Sequence, residues 1–191
     1  MSTDSSPISA VRAHTALYGV LLPQKDALIS RWVEIVHGTY PFDTVGFLRT
    51  LKDRFANPVG YRTEEAAKTL AEIMFTETPD IEAMQKAAEE IIRVRAIQDF
   101  PPEAAVGVFF AMKQLVRDAL DKSGQTAQAL PALLELESRI DAVVLMAFGA
   151  YARCRETLHQ MKVDEFKRKH SQILRLAEKK AGNSDKADTN N

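Results

Sequence analysis

Apolar residues recur at three- and four-residue intervals along almost the whole chain, and no β-branched run alternates with period two, so the pattern predicts helices and no strands. A weak helical pattern runs from Ile8 to Leu22 (Val11, Leu17, Tyr18, Leu21, Leu22) and is interrupted at Pro23. Lys25–Tyr40 is clearly amphipathic, with Leu28, Ile29, Trp32, Val33, Ile35, Val36 and Tyr40 at helical spacings, and Pro41 stops it. Asp43 can cap a short helix carrying Val45, Phe47, Leu48 and Leu51. Lys52–Arg62 has no period, and its Asn57-Pro58 and Gly60 are turn residues, which predicts an ordered loop. Thr63 then reads as the cap of a helix with Leu70, Ile73 and Met74 inward. Thr78-Pro79-Asp80 starts another, with Ile81, Met84, Ala88, Ile91, Ile92 and Arg95 at helical spacing to about Gln98. Pro101-Pro102-Glu103 opens the next, and Ser123-Gly124 ends it.

After Pro131 no proline follows and the apolar pattern barely breaks, predicting one helix from about Leu130 to Lys180. At about 1.5 Å per residue this exceeds the diameter of a small domain, so its second half is expected to project. Ile140, Val144, Ala147, Tyr151, Cys154, Leu158 and Met161 form one seam at 4-3 spacing; Val163, Phe166, His170, Ile173 and Ala177 form a second, narrower stripe. The expected organisation is a flexible start (1–7), a helical domain (8–155), a projecting C-terminal helix (156–180) and a disordered tail (181–191). The fold class is all-α: a single bundle of six or seven helices.

Composition sharpens this picture. The chain has 191 residues, 46% hydrophobic and 27% charged, enough for one core and too apolar to be disordered throughout. The net charge of −1 supplies no global attraction to nucleic acid or to an anionic membrane, so neither is expected as a partner. The charge is unevenly distributed, however. Residues 152–180 hold nine Lys/Arg against four Asp/Glu, net +5, whereas residues 1–151 hold 15 against 20, net −5. The polar first ten residues carry no targeting signal, and no apolar run approaches the ~20 residues of a membrane span, so a cytoplasmic protein without membrane insertion is expected. One cysteine, Cys154, excludes an intramolecular disulfide.

Little in the sequence argues for catalysis. His14, His37, His159 and His170 are scattered without metal-ligand spacing, and no metal site is expected. His37 reads as a partly buried structural histidine, which leaves a non-covalent haem or small-ligand module as one alternative. Glu64/Glu65 and Glu89/Glu90 are helix neighbours whose side chains diverge, unsuited to an acid/base dyad. No phosphate loop, dinucleotide fingerprint or nucleophile elbow is present. The expectation is a non-enzyme without a cofactor.

Two polar clusters stand out: Asp53-Arg54-Phe55-Ala56-Asn57-Pro58-Val59-Gly60 and Arg93-Val94-Arg95-Ala96-Ile97-Gln98-Asp99-Phe100. Spacing puts Arg95, Gln98 and Asp99 on one helix face. Arg93 and Arg95 lie among aliphatics, where an unpaired charge is costly, so Asp53 and Asn57 of the aperiodic loop are expected to meet them. Trp32, Asp53, Phe55, Asn57, Arg93, Arg95, Gln98 and Asp99 are therefore candidates for a polar clamp or for a ligand or partner site.

With these clusters, and with Ser30-Arg31-Trp32-Val33-Glu34-Ile35-Val36 and Thr39-Tyr40-Pro41, residues 17–155 resemble the N-terminal domain of RsbRD-type RsbT co-antagonist proteins. The resemblance implies an all-α, possibly globin-like sensory domain without haem. In relatives such a domain feeds a C-terminal STAS domain through a joining helix, within the stressosome that controls the kinase RsbT. Two departures are visible: Pro101 stands where the family commonly has a hydroxyl cap, and no STAS domain follows in this sequence. A stand-alone sensor or adaptor is implied, contacting a protein partner or a second copy (a homodimer) through Val163, Phe166, Ile173 and Leu174 of the C-terminal helix. An accessory role on a membrane redox complex of anaerobic sulfur metabolism is the alternative the resemblance implies.

Overall fold

Prolines and left-handed residues set the helix boundaries. The computed structural model describes residues 7–40, 58–76 and 78–188. Helix α1 (Pro7–Leu21) begins at a proline, whose missing N–H is no loss in a first turn. Pro23 sits in a 3₁₀ turn, Leu22–Gln24, that leads directly into α2 (Lys25–Gly38). Helix α3 is Pro58–Met74, α4 Ile81–Ile97, α5 Pro102–Ser123 and α6 Thr126–Asp188. Among the described residues all regular structure is helical, as the spacing predicts.

Asp80 caps α4 by accepting from the Ala83 N–H at 3.0 Å. Gly124, at φ +69°, ends α5 in the left-handed conformation; its N–H donates to the Asp121 carbonyl and that of Gln125 to Leu120, the paired bonds of a Schellman stop.

Two boundaries differ from expectation. Residues 58–62, read as part of a loop, form the first turn and more of α3 because Pro58 supplies a pre-set helical φ. Thr63 is consequently a buried residue inside the helix rather than its cap. Helix α6 begins at Thr126, not Leu130. It also continues past Lys180 to Asp188, so the expected tail 181–191 is helical as far as it is described. Pro131 is the sixth residue of α6, past the N–H groups that lack partners in a first turn, so it forgoes one ladder bond without ending the helix. The short helix expected from Asp43 and the loop residues 52–57 lie outside the described residues.

The chain divides into two units, Met1–Ala152 and Arg153–Asn191. In the first, α3 pairs with α4 through small residues, Ala66, Ala67 and Ala71 facing a helix that buries Ala87 and Ala88. Helix α5 packs on α1, α2 and α4. Trp32, fully buried, donates its indole N–H to the Val108 carbonyl at 2.8 Å and lies 6.0 Å from Phe109, fixing α2 on α5. The part of α6 within this unit is held at both polar and apolar points. Ile140, Val143, Ala147 and Tyr151 are buried. Arg117 makes a bidentate pair with Glu137 at 2.6 and 2.7 Å. Arg139 donates to the carbonyls of Met74 (2.8 Å) and Thr76 (2.6 Å), satisfying orphan acceptors at the C-terminal end of α3.

The second unit is the remainder of α6. Here Met161 of the first seam and Phe166 and Ile173 of the second stripe are 61%, 68% and 62% exposed, and none of the unit's described side chains is in the buried core. The Phe166 ring stacks on His170 at 5.7 Å, a contact within one helix. No helix among the described residues is long and apolar enough to cross a membrane.

The Asp80 cap gives a direct check. Asp80→Ala should lower the unfolding free energy by about 1 kcal/mol in urea titration, and Asp80→Asn by much less, since the amide oxygen still accepts from the Ala83 N–H.

Candidate functional site: a buried arginine at three helix ends

Helix α4 ends in the same Schellman geometry as α5, with an unusual residue at the turning point. The Phe100 N–H donates to the Arg95 carbonyl (3.2 Å) and the Asp99 N–H to Ala96 (3.4 Å). Asp99, at φ +63°, occupies the left-handed position normally taken by glycine. In this motif the residue after the turn contacts the side chain of the last helical turn. Here those two are Phe100 and Arg95, and the guanidinium carbon lies 4.3 Å from the Phe100 ring centroid.

Arg95 is fully buried. Its Nη2 donates to Thr39 Oγ1 and to the Ala104 carbonyl, both at 2.9 Å. Tyr40 lies on another side, with its ring centroid 5.2 Å from the guanidinium and edge-on to Phe100 at 5.1 Å. One guanidinium therefore joins the end of α2, the end of α4 and the first turn of α5. Tyr151 of α6 closes the ring by donating its hydroxyl to the Phe100 carbonyl at 2.6 Å.

The electrostatics are incomplete. Among the described residues no carboxylate pairs with Arg95, and none supplies a hydrogen-bond partner to its Nε and Nη1. Burial holds the guanidinium below its ordinary pKa, with Tyr40 acting in the opposite direction. The same burial pushes the Tyr40 phenol up, while nearby Arg95 and Thr63 ease its ionisation. The Tyr40 hydroxyl lies near Arg95 and Thr63 but meets no described residue in good hydrogen-bond geometry. Beside this cluster opens a cleft of about 550 Å³, lined among the described residues by Thr39, Tyr40, Gln98, Asp99, Phe100 and Ala104. Four of these are Arg95's own contacts, so the arginine lies directly behind the wall of the cleft.

The predicted site residues separate accordingly. Trp32 and Arg95 are buried, the first as a packing anchor and the second as the centre of the cluster. Gln98 and Asp99 are exposed on the rim of the cleft. They do not share a helix face with Arg95, because α4 stops at Ile97 and the left-handed turn at Asp99 redirects the chain. Arg93 is exposed rather than set among aliphatics, being two positions from Arg95 and hence on another side of the helix. Asp53, Phe55 and Asn57 lie outside the described residues, as does the side chain of Leu174. Val163 is half-buried. Sequence reasoning passed over Thr39, Tyr40, Phe100, Ala104 and Tyr151. Thr39-Tyr40 and Phe100 stood in the quoted strings, but the Ala104 and Tyr151 contacts have no local signature. His37 is buried, as expected of a structural histidine. No group of three or more His, Cys, Asp or Glu is placed to hold a metal ion among the described residues.

The model of the RsbT co-antagonist protein RsbRD N-terminal domain matches residues 26–165, most of the chain and all of this cluster. The chain belongs to that family. No curated protein and no solved structure matches it. In this RsbRD-type domain the matched region includes Trp32, Arg95 and the Asp99 turn, and it ends within the second unit.

The turn at Asp99 predicts a stability change of unusual sign. Asp99→Gly removes a Cβ from the left-handed region and a negative charge from a helix C-terminus, so the unfolding free energy should rise by about 0.5–1 kcal/mol. A fall in chemical denaturation would mean that the carboxylate's own interactions outweigh both effects.

Proposed function

We propose that this protein is a non-catalytic regulatory sensor or adaptor of the RsbRD N-terminal type, which passes its state to other proteins through its C-terminal helix. The family is one of regulatory sensor domains in stress signalling rather than of enzymes. The observation that carries the output side is the exposure of Phe166 and Ile173, 68% and 62%, on a helical segment with no core of its own. A lone helix of this length is marginally stable in water, and its narrow stripe gains burial only against another surface. The buried residues that hold the bundle together all precede Ala152, so folding of the bundle and use of the stripe are separable.

The test is truncation. A chain ending at Leu158 should keep the helical signal and cooperative melting of the bundle but lose capture of the partner that the full chain retains from its native cells. If the truncated chain captures the same partner equally well, the output does not run through this helix.

On the input side, we propose that Asp53 supplies the counter-charge Arg95 lacks, making the clamp of the two quoted strings. The Nε and Nη1 donors left without partners support this reading. A double-mutant cycle measures it. Arg95→Met alone would strand a buried carboxylate, and Asp53→Asn alone a buried cation, each costing roughly 3–5 kcal/mol, whereas the double variant should recover most of that loss. Strict additivity would show that the two residues are not paired.

A further inference from the structure

The charged residues that flank the exposed stripe of the second unit are of one sign. Treating Val163, Phe166, His170, Ile173 and Ala177 as the alternating a and d positions of heptads makes 160, 167 and 174 e positions and 162, 169 and 176 g positions. These hold Gln160, Lys167 and Leu174 at e, and Lys162, Lys169 and Leu176 at g. All three lysines are exposed. Of the acids within 156–177, Asp164 and Glu165 fall at b and c, away from the seam, and Glu156 stands at its first a position. Gln160 donates to Asp164 at 3.0 Å, and Lys169 reaches back to Glu165 at 2.8 Å. An exposed pair of that kind contributes little and leaves Lys169 available to a stronger partner.

Flanking charges decide which helices can share a seam. In a parallel pairing with a second copy, Lys162 would meet Lys167 of the other chain. In an antiparallel pairing g would meet g and e would meet e, again lysine against lysine. Both orientations of self-pairing therefore set like charges against each other, a repulsive element that selects against them. A membrane surface fits less well: interfacial helices present a broad apolar face, whereas over residues 160–170 this stripe is a narrow a/d seam, bordered by lysines and interrupted by His170.

We propose that residues 156–177 dock against an amphipathic helix of another protein whose flanking positions are acidic, so that its Asp or Glu side chains meet Lys162, Lys167 and Lys169. This rests on the reading of the C-terminal helix as the output and adds the chemistry of what it recognises. The lysine flanks supply specificity and salt-dependent association; Phe166 and Ile173 supply the buried area.

The chain itself provides an acidic probe. A full-length variant carrying Lys162→Glu, Lys167→Glu and Lys169→Glu keeps the seam and reverses its flanks. By sedimentation velocity, wild type mixed with this variant should form a complex at least tenfold tighter than any self-association of wild type through this helix. Phe166→Asp in either chain should abolish that complex. A labelled synthetic helix with leucine at a and d and glutamate at e and g should bind wild type, while its lysine-flanked counterpart should not; this measurement does not depend on the triple variant folding.

Wild type that self-associates as tightly as the mixture, in a manner lost with Phe166→Asp, would overturn the acidic partner in favour of a second copy, leaving the output reading intact. Tighter Phe166-dependent binding to phosphatidylglycerol/phosphatidylcholine vesicles than to the acidic helix would overturn it in favour of a membrane surface. Failure of both the mixture and the acidic peptide to bind would overturn it outright. Retention of partner capture after truncation at Leu158 is the separate result that would remove the output reading as well.

Discussion

A guanidinium closed off from water is costly, and among the described residues no carboxylate meets the one at Arg95, around which three helix ends are arranged. The arrangement reduces that cost in identifiable ways. The C-terminal ends of α2 and α4 both lie at this region and bring the partial negative charge of a helix end, which favours a cation there. Thr39 Oγ1 and the Ala104 carbonyl accept directly, and the Phe100 and Tyr40 rings offer their π faces or edges. None of these is worth a full ion pair. Together they require the ends of α2 and α4 and the start of α5 to stay in one relative position, because moving any of them removes an acceptor or a ring from the charge.

The same constraint accounts for a local choice that propensity disfavours. Glycine is the ordinary residue for the turn after α4, and this chain uses it at the equivalent turn after α5, yet Asp99 stands here. The turn brings Phe100 onto Arg95, and Tyr151 then bonds to the carbonyl of that same Phe100. A displacement at the rim of the cleft is thus connected to the last buried turn of α6 by two contacts, Phe100 on Arg95 and Tyr151 on Phe100. That is a physical route by which occupancy of the cleft and the position of α6 can influence each other.

Most of the helical architecture was legible in the sequence because its signals are local. Pro23, Asp80, Pro102 and Gly124 punctuate the chain where the structure turns, and apolar spacing identifies the buried faces of α2, α4 and α5. The reading failed where a residue type has two uses. Pro58 reads as a turn residue after Asn57 but serves as a helix start, and Thr63, a good cap, is instead a buried helical residue. At the cluster, the quoted strings located the right residues without the right geometry. Spacing alone placed Gln98 and Asp99 on Arg95's face, since a left-handed aspartate is not marked in sequence. Arg93 and Arg95 were indistinguishable by composition, although only one of them points inward. The contacts of Ala104 and Tyr151 were invisible because the first forms across the left-handed turn between two helices and the second across 51 residues of chain.

Helix α6 illustrates the limit of periodicity in another way. Ile140, Val144, Ala147 and Tyr151 repeat at intervals of three and four and are buried; Val163, Phe166, His170 and Ile173 repeat at the same intervals and are largely open. Spacing reports that a helix has an apolar side but not whether that side is occupied. What distinguishes the two stretches is the charge beside them. Glu137 and Asp141 flank the first and are met by Arg117 and Lys113 of α5, so its polar margin is already matched within the bundle. Lys162 and Lys167 flank the second, and the acids nearest to them in sequence lie off the seam. An apolar stripe whose margins are satisfied at home is a core seam; one whose charged margins are all cationic and exposed is complementary to an acidic surface.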